Sequence, residues 1–165
     1  MLMLPRIAFV VLLVVVTAVI VATTGSLPDR VATHFGGGGL ANGFMSRDGY
    51  LLFMLAFTIG MPLVVVAMTG LFPGIARSPR NIQHHDYWFA PARRAASSAR
   101  LLNHACLLGC LLVLFFGGMH GALMVANAAT PPRLPEAAFF IMLAALIVGI
   151  ALWIFFLRRI FARPG

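Results

Sequence analysis

Four long apolar runs, separated by short polar segments, form the pattern of hydrophobic and polar positions along this chain of 165 residues. The apolar runs cover residues 7–24, 51–72, 101–128 and 137–157. A helix of about 20 apolar residues crosses the hydrocarbon core of a bilayer. The pattern therefore predicts an all-α membrane protein, a four-transmembrane-helix bundle that forms a single domain over residues 1–165. A cleaved signal peptide is the alternative interpretation of the first run.

The composition supports a bilayer as the solvent of this chain. Apolar residues make up 61% of the sequence and charged residues 10%, whereas soluble domains average about 45–50% and about 25%. The net charge of +8 does not indicate nucleic-acid binding, because the arginines lie at the ends of the apolar runs. In such positions arginines contact anionic headgroups and set the orientation of a membrane protein.

The distribution of charged residues predicts the orientation of the chain. One set of loops carries most of the arginines: Arg6, Arg77, Arg80, Arg93, Arg94, Arg100, Arg158, Arg159 and Arg163. The opposite set is balanced in charge and contains Arg30, Arg47, Arg133, Asp29, Asp48 and Glu136. Because arginine-rich loops stay inside, both termini and the loop over residues 73–100 are expected in the cytoplasm. The loop over residues 25–48 is then extracytoplasmic.

The extracytoplasmic loop is predicted to fold into a short hairpin over the mouth of the bundle. Pro28 and Asp29 favour a turn, residues 31–35 favour a strand, and Asn42-Gly43 is typical of a tight turn. The glycines at positions 36–39 can adopt backbone conformations that other residues avoid. A nucleotide-binding loop is not expected, because the glycine run lacks the Lys-Ser/Thr pair of such a loop and precedes no strand–helix unit.

The third apolar run combines a polar and a bulky face when it is drawn as a helix. The small and polar face is predicted to pack inside the bundle and carries Asn103, Cys106, Cys110, Gly117, His120, Gly121, Met124 and Asn127. Gly117 and Gly121 form a small-xxx-small pair that favours close helix packing. The opposite face is expected to contact lipid and carries Leu108, Leu112, Phe115, Phe116, Met119 and Leu123.

Polar groups from the loop and from the third helix are expected to meet in one leaflet, since polar residues within a membrane usually face a bundle interior or a wet cavity. The predicted ligand-binding residues are Asp29, Arg30, His34, Asn42, His120 and Asn127. Asp29, His34 and His120 are also candidate ligands for a divalent metal, and the cofactor is otherwise unknown. The alternative is structural: His120 as a core histidine, and Asn127 as a helix terminator.

The cytoplasmic loop is predicted to carry a second interface. Tyr87 and Trp88 suit the headgroup level of the membrane, and Arg93 and Arg94 follow within one or two helical turns. Pro91 favours the first turn of a helix, so the third helix is expected to begin near it. These four side chains, Tyr87, Trp88, Arg93 and Arg94, are the predicted cytoplasmic interface for a peptide or protein partner.

Two motifs follow the first apolar run: Leu27-Pro28-Asp29-Arg30-Val31-x-Thr33-His34-Phe35 and then Asn42-Gly43-x-x-Ser46-Arg47. Together they resemble the signature of the domain of unknown function 1648 family. That family occurs in bacterial multi-pass membrane proteins, and one branch is similar to the SdpI-like immunity proteins. The resemblance implies the inner (cytoplasmic) membrane of a bacterium as the location. It also implies a role in immunity to a toxic peptide or in signalling.

Together these features favour a non-enzymatic integral inner-membrane protein that binds a ligand or peptide at its outer mouth. A small transporter or channel subunit is the first alternative, with Gly60 and Pro62 in a kinked second helix. A metal-dependent membrane hydrolase using His34 and His120, with Asp29 as base, is less favoured because the chain has only four acidic residues. Small residues on the fourth helix, such as Ala145 and Gly149, permit a homo-oligomer.

Overall fold

The computed structural model describes residues 3–71, 82 and 84–162. The predictions that concern Arg77, Arg80, Arg163 and the end of the second run at residue 72 lie outside the described residues. Among the described residues, four helices are long and apolar enough to cross a membrane: Leu4–Thr24, Arg47–Thr69, Arg94–Ala128 and Glu136–Ile160. The prediction of an all-α membrane bundle is therefore confirmed.

The elements follow one another in a simple order. Helix α1 (Leu4–Thr24) is followed by strands β1 (Arg30–Phe35) and β2 (Ala41–Ser46). Helix α2 combines α-helical segments Arg47–Leu55 and Met61–Val66 with π-helical segments Ala56–Gly60 and Ala67–Leu71. A single turn, α3 (His85–Trp88), precedes the long helix α4 (Arg94–Ala128) and the last helix α5 (Glu136–Ile160).

Helices α1 and α4 run parallel and in register. Arg6 Nε donates to Asn103 Oδ1 at one end of the pair (2.8 Å), and Thr23 Oγ1 bonds His120 Nε2 near the other (2.7 Å). Both pairs are separated by the same 97 positions, as a parallel pair of helices requires. The end where α1 and α4 begin and α5 finishes is called the arginine-rich side below, and the opposite end is the hairpin side.

Glycines in α4 allow the neighbouring helices to approach closely. A Cβ atom at Gly109 would lie 2.7 Å from the Phe9 ring, and one at Gly117 would lie 2.9 Å from Val16 Cγ1, both on α1. Gly118 similarly faces Met142 of α5 at 2.7 Å. Gly121 meets nothing within 4 Å. The prediction of close helix packing therefore holds for Gly117 and was wrong for Gly121. The second close approach to α1 is at Gly109, about two helical turns before Gly117.

The predicted lipid face of the third helix was also wrong in part. Leu123 is buried in a cluster with Ile20 of α1, Tyr50 and Met54 of α2, and Val31 of β1. Phe115, Phe116 and Met119 line a cavity that is described below. The reason is that α2 and the hairpin cover this side of α4, which a helical projection of one segment cannot show.

Helix α2 begins with a serine cap and contains the irregular turn that its proline predicts. Ser46 Oγ accepts the Gly49 N–H at 3.1 Å and so satisfies an open donor of the first turn. Pro62 has no N–H to bond the carbonyl of Thr58. The π-helical turn Ala56–Gly60 ends two residues before that proline and contains Thr58, and a widened turn there accommodates the missing bond.

The hairpin follows α1 as predicted, with β1 and β2 antiparallel. The predicted tight turn at Asn42-Gly43 was wrong, because both residues lie within β2 and Gly43 pairs with His34. Arg30 pairs with Ser46 and Ala32 with Phe44, and the register shifts on either side of His34. The turn between the strands uses Gly38 and Gly39 at φ values of +81° and +76°. These conformations strain residues that carry a Cβ atom, so the glycine run shapes the turn.

Candidate functional site

The hairpin is fixed to the end of α4 through one side chain, Asn127. Asn127 Oδ1 accepts the N–H of Ala32 at 2.7 Å, and Asn127 Nδ2 donates to the carbonyl of Ala32 at 3.0 Å. The same amide nitrogen donates to the carbonyl of Leu123 at 2.9 Å. Ala32 is fully buried, so its N–H and carbonyl need partners within the protein. The side chain of Asn127 supplies both hydrogen bonds, as a neighbouring strand would. Its amide is occupied by these backbone partners.

The base of the hairpin is held by Arg47 at the start of α2. Arg47 donates to the carbonyl of Leu27 at 2.9 Å and forms a salt bridge with Asp29 at 3.0 Å. The Arg47 N–H also donates to the carbonyl of Asp29. Asp29 is largely exposed, so the ion pair contributes little to stability by itself. The arrangement closes the loop and directs the carboxylate of Asp29 toward Arg47.

The glycine turn is joined to the connection between α4 and α5. The Leu134 N–H donates to the carbonyl of Gly39 at 2.8 Å, and Arg133 Nε donates to the carbonyl of Gly38 at 3.0 Å. A Cβ atom at Gly39 would lie 2.9 Å from the carbonyl oxygen of Leu134. The hairpin is therefore a fixed cap on the bundle, tied to both α4 and the segment before α5.

His34 lies on the exposed side of this cap. Its Nδ1 forms a hydrogen bond with Asn42 Oδ1 across the hairpin. Because the amide oxygen only accepts, His34 Nδ1 carries the proton and Nε2 is left as the acceptor of the neutral ring. A Cβ atom at Gly43 would lie 2.8 Å from His34 Cβ, which explains the glycine opposite this histidine.

His120 joins three helices from the interior of the bundle. Its Nδ1 bonds Tyr50 Oη at 2.7 Å, and its Nε2 bonds Thr23 Oγ1 at 2.7 Å. Thr23 uses its single hydroxyl hydrogen to donate to the carbonyl of Val19, also at 2.7 Å. Thr23 must therefore accept from His120 Nε2–H, and His120 Nδ1 must accept from Tyr50 O–H. The partners thus fix one tautomer of the neutral ring.

An apolar cavity of about 430 Å³ lies beneath the hairpin, between α2, α4 and the start of α5. Thr33, His34 and Tyr50 are its polar residues. The rest of the lining is apolar and mostly aromatic: Phe35, Phe53, Met54, Phe57, Phe115, Phe116, Met119, Leu123, Leu134 and Phe139. Its volume lies within the range of small-molecule pockets, roughly 300–1,000 Å³.

The structure brings some of the predicted ligand residues together and keeps others apart. His34 and Asn42 contact each other, and His34 borders the cavity. Asp29 pairs with Arg47, and Arg30 lies over the Phe44 ring at 5.6 Å. Within the described part of the chain, no three His, Cys, Asp or Glu side chains form a group that could hold a metal ion. That statement includes Asp29, His34 and His120.

The predicted cytoplasmic residues divide into a packed and an exposed group. Trp88 Nε1 donates to the carbonyl of Phe161 at 3.2 Å, so Trp88 joins α3 to the end of α5. The guanidinium of Arg93 lies 4.0 Å from the centre of the Tyr87 ring, and Arg94 is exposed. Tyr87, Arg93 and Arg94 thus form the available surface, and Trp88 supports it.

Sequence reasoning missed the partners of the buried histidines. Thr23 and Tyr50 lie at the ends of apolar runs, where threonine and tyrosine are ordinary, so neither stood out. His104 and Trp153 were missed as well, although they form two mutual hydrogen bonds between α4 and α5. A histidine and a tryptophan within apolar runs were the only available indications, and neither identifies its partner.

Comparisons with known proteins confirm the family resemblance over part of the chain. Residues 11–60 match the family described as "Domain of unknown function (DUF1648)". An uncharacterized protein of Archaeoglobus fulgidus is 29% identical over 140 residues, which cover 82% of this chain and 74% of the relative. No solved structure matches the chain. The matched family segment includes Thr23, His34 and Tyr50, whereas His120 and Asn127 lie beyond it.

Proposed function

We propose that this chain, whose residues 11–60 match that family, is a non-enzymatic membrane protein that binds an amphiphilic ligand beneath its hairpin. The observation that carries the proposal is the aromatic cavity of about 430 Å³. Such a cavity suits an apolar body, either an acyl chain or the apolar side chains of a peptide. A polar end group of the ligand would then lie at the rim, beside Thr33 and His34.

The surroundings of His34 support a binding role at the rim. The ring is held by Asn42 through Nδ1, which leaves Nε2 for a ligand. His34 is exposed, whereas Tyr50 is buried and already bonded to His120. The ligand therefore has one adaptable polar contact at the opening and aromatic contacts deeper in the cavity. Immunity to a membrane-active peptide is the biological role that such a site would serve.

The engaged state of the other reactive groups supports binding over hydrolysis. Both nitrogens of His120 are committed to Thr23 and Tyr50, and the carboxylate of Asp29 pairs with Arg47. A general base must reach the proton that it removes. The pair His34 and His120, proposed above for a hydrolase, is thus better suited to holding the cap and the ligand than to activating water.

The orientation belongs to the same proposal. The hairpin side carries balanced charges, and the other side carries Arg6, Arg93, Arg94 and Arg100. By the positive-inside rule, we expect the cavity on the outer side of the membrane and both termini in the cytoplasm. A ligand bound at the hairpin would be reported to a cytoplasmic partner through the surface formed by Tyr87, Arg93 and Arg94.

Photolabelling of the cavity tests the ligand proposal. The full chain in lipid nanodiscs is exposed to a fatty acid with a diazirine at its chain end, and labelled residues are mapped by mass spectrometry. We expect labels on cavity residues that excess unlabelled fatty acid removes. The substitution Met119→Trp adds volume inside the cavity and should reduce this saturable labelling several-fold. An apolar membrane-active peptide with the same label is the second probe.

Val125→Trp is the matched control for Met119→Trp. Val125 lies on the same helix and is 61% exposed, so its replacement adds the same indole outside the cavity. We expect Val125→Trp to label like the wild type. Labelling that is not saturable with either probe, or that Met119→Trp leaves intact, would contradict the proposal that the cavity binds amphiphiles.

A transport role is the second candidate, and two buried hydroxyls favour it. Among the described residues, Thr17 Oγ1 and Thr58 Oγ1 are buried without a hydrogen-bond partner. Thr58 also belongs to the π-helical turn of α2, and such turns often mark functional sites. If water or a polar solute passes these hydroxyls, Thr58→Val should reduce the flux of that water or solute into proteoliposomes. Flux equal to that of protein-free vesicles would reject transport.

A further inference from the structure

A groove runs along the membrane-facing junction of α4 and α5 on the arginine-rich side, away from the hairpin cavity. It consists of two adjoining cavities of about 350 and 480 Å³, which share His104, Leu107 and Ile160 in their linings. The first reaches Arg100 and Asn103, and the second continues to Leu111 and Phe156. The groove therefore has one polar end and one apolar end.

The floor of the groove is held rigidly by His104 and Trp153. His104 Nε2 donates to the carbonyl of Trp153 at 2.8 Å, and Trp153 Nε1 donates to the carbonyl of His104 at 2.7 Å. The two rings stack with their centroids 4.7 Å apart. Farther along, a Cβ atom at Gly149 would lie 2.7 Å from Leu111 Cδ2. The spacing of the helices is thus fixed at both ends of the groove.

The polar end is positively charged. Arg100 is exposed and its guanidinium lies 5.9 Å from the Trp88 ring centre, a contact that holds it near the mouth. Arg6 Nε donates to Asn103 Oδ1 at 2.8 Å, which brings a second guanidinium beside the groove. Three of the four acidic residues lie on the hairpin side, and Asp86 is paired with His85. The mouth therefore favours an anion.

The apolar end has the length of one leaflet. Arg100 and Leu111 are 11 positions apart on α4, or roughly 16 Å along a helix axis. Half of a hydrocarbon core of about 30 Å is close to the same distance. Leu107 and Leu152 line the groove and remain about half exposed, at 50% and 51%. An acyl chain that enters from the headgroup level would cover them.

We propose that this groove binds one anionic phospholipid from the leaflet on the arginine-rich side. Its phosphate contacts Arg100 and the adjacent Arg6 and Asn103, and one acyl chain lies over His104, Trp153 and Leu111. Basic pockets between membrane helices bind anionic headgroups in this way. The site is separate from the hairpin cavity and does not depend on the function proposed for that cavity.

Quenching of Trp153 by brominated lipids tests this site. The full chain is reconstituted in vesicles that contain phosphatidylcholine and phosphatidylglycerol at one fixed ratio, with bromine on the acyl chains of only one of them. The Trp153 component is the difference between the wild type and Trp153→Phe. We expect stronger quenching by brominated phosphatidylglycerol, with about fivefold enrichment at the groove for one arginine near a membrane surface.

The matched pair Arg100→Gln and Arg94→Gln separates the groove from general surface charge. Both substitutions remove one arginine from the same helix, but Arg94 does not line the groove. Arg100→Gln should abolish the preference for phosphatidylglycerol, and Arg94→Gln should retain it. Equal quenching by the two lipids in the wild type would overturn the proposal. So would an equal loss of preference in both variants.

Thermal unfolding in the presence of added lipid is a second test, and it does not depend on tryptophan fluorescence. In neutral detergent, added phosphatidylglycerol should raise the Tm of the wild type more than phosphatidylcholine does, and Arg100→Gln should remove the difference. Glycerophosphate, which has the phosphate without acyl chains, should not raise the Tm. Stabilisation by glycerophosphate alone would indicate a free-phosphate site instead. If neither brominated lipid quenches Trp153 and the chain can be cross-linked as a dimer, a second copy of this chain occupies the groove and the lipid proposal is wrong.

Discussion

Replacing Asn127 by alanine is expected to destabilise the protein by about 3 kcal/mol, because it leaves both the N–H and the carbonyl of buried Ala32 without their partners. Each unpaired buried group costs about 1–3 kcal/mol. Thermal or denaturant unfolding in detergent measures the change in the free energy of unfolding. The hairpin should also separate from α4, so the amide hydrogen of Ala32 should exchange with solvent much faster than in the wild type.

Two further variants make this prediction specific. Asn127→Asp keeps an acceptor for the Ala32 N–H but places a carboxylate oxygen against the carbonyls of Ala32 and Leu123. Because this oxygen accepts and cannot donate, the loss of stability at neutral pH should be at least as large as that of Asn127→Ala. Val125→Ala changes a side chain of the same helix that is 61% exposed, and it should alter stability by no more than about 0.5 kcal/mol. If the Ala32 amide hydrogen in Asn127→Ala exchanges with solvent at the wild-type rate, Asn127 does not hold the hairpin.

Replacing His120 by alanine is expected to cost about 3 kcal/mol, through a cavity at a buried position and the loss of two hydrogen bonds. The bonds account for the smaller part, because side-chain hydrogen bonds between membrane helices average about 0.6 kcal/mol. Tyr50→Phe removes only the hydroxyl and should cost about 1 kcal/mol. Unfolding in detergent again measures both effects.

A double-mutant cycle distinguishes the network from simple packing. Since Tyr50 Oη donates to His120 Nδ1, the cost of Tyr50→Phe should largely disappear when His120 is already alanine. Thr23→Val should behave in the same way, because Thr23 Oγ1 accepts from the other nitrogen of the same ring. Additive losses in both cycles would show that the three residues are not coupled.

The spans and the hairpin could be predicted because each is a local property of the sequence. The predicted first and fourth spans, 7–24 and 137–157, lie within Leu4–Thr24 and Glu136–Ile160. The predicted strand at residues 31–35 corresponds to β1 (Arg30–Phe35). Length, hydropathy and turn residues determine these elements with little reference to the rest of the chain.

The candidate site was predicted only in part. His34 and Asn42 were named together and do contact each other, since both belong to one hairpin. His120 and Asn127 were also named, because polar groups in a membrane helix are costly and need partners. Their partners, Tyr50, Thr23 and the backbone of Ala32, are between 70 and 97 positions away in the sequence. No local pattern identifies contacts at that separation.

The sequence by itself determined that this is a membrane bundle with a capped mouth. The length of the apolar runs, the positions of the arginines and the glycine-rich turn are local features, and each can be identified without knowing which distant residues are in contact. Tertiary structure alone decided which surfaces became cavities. The bulky residues Phe115, Phe116 and Met119 were expected to face lipid, yet they line the cavity because α2 and the hairpin pack over them. A single helix shows which residues share a face, and only the packing of its neighbours determines what that face contacts.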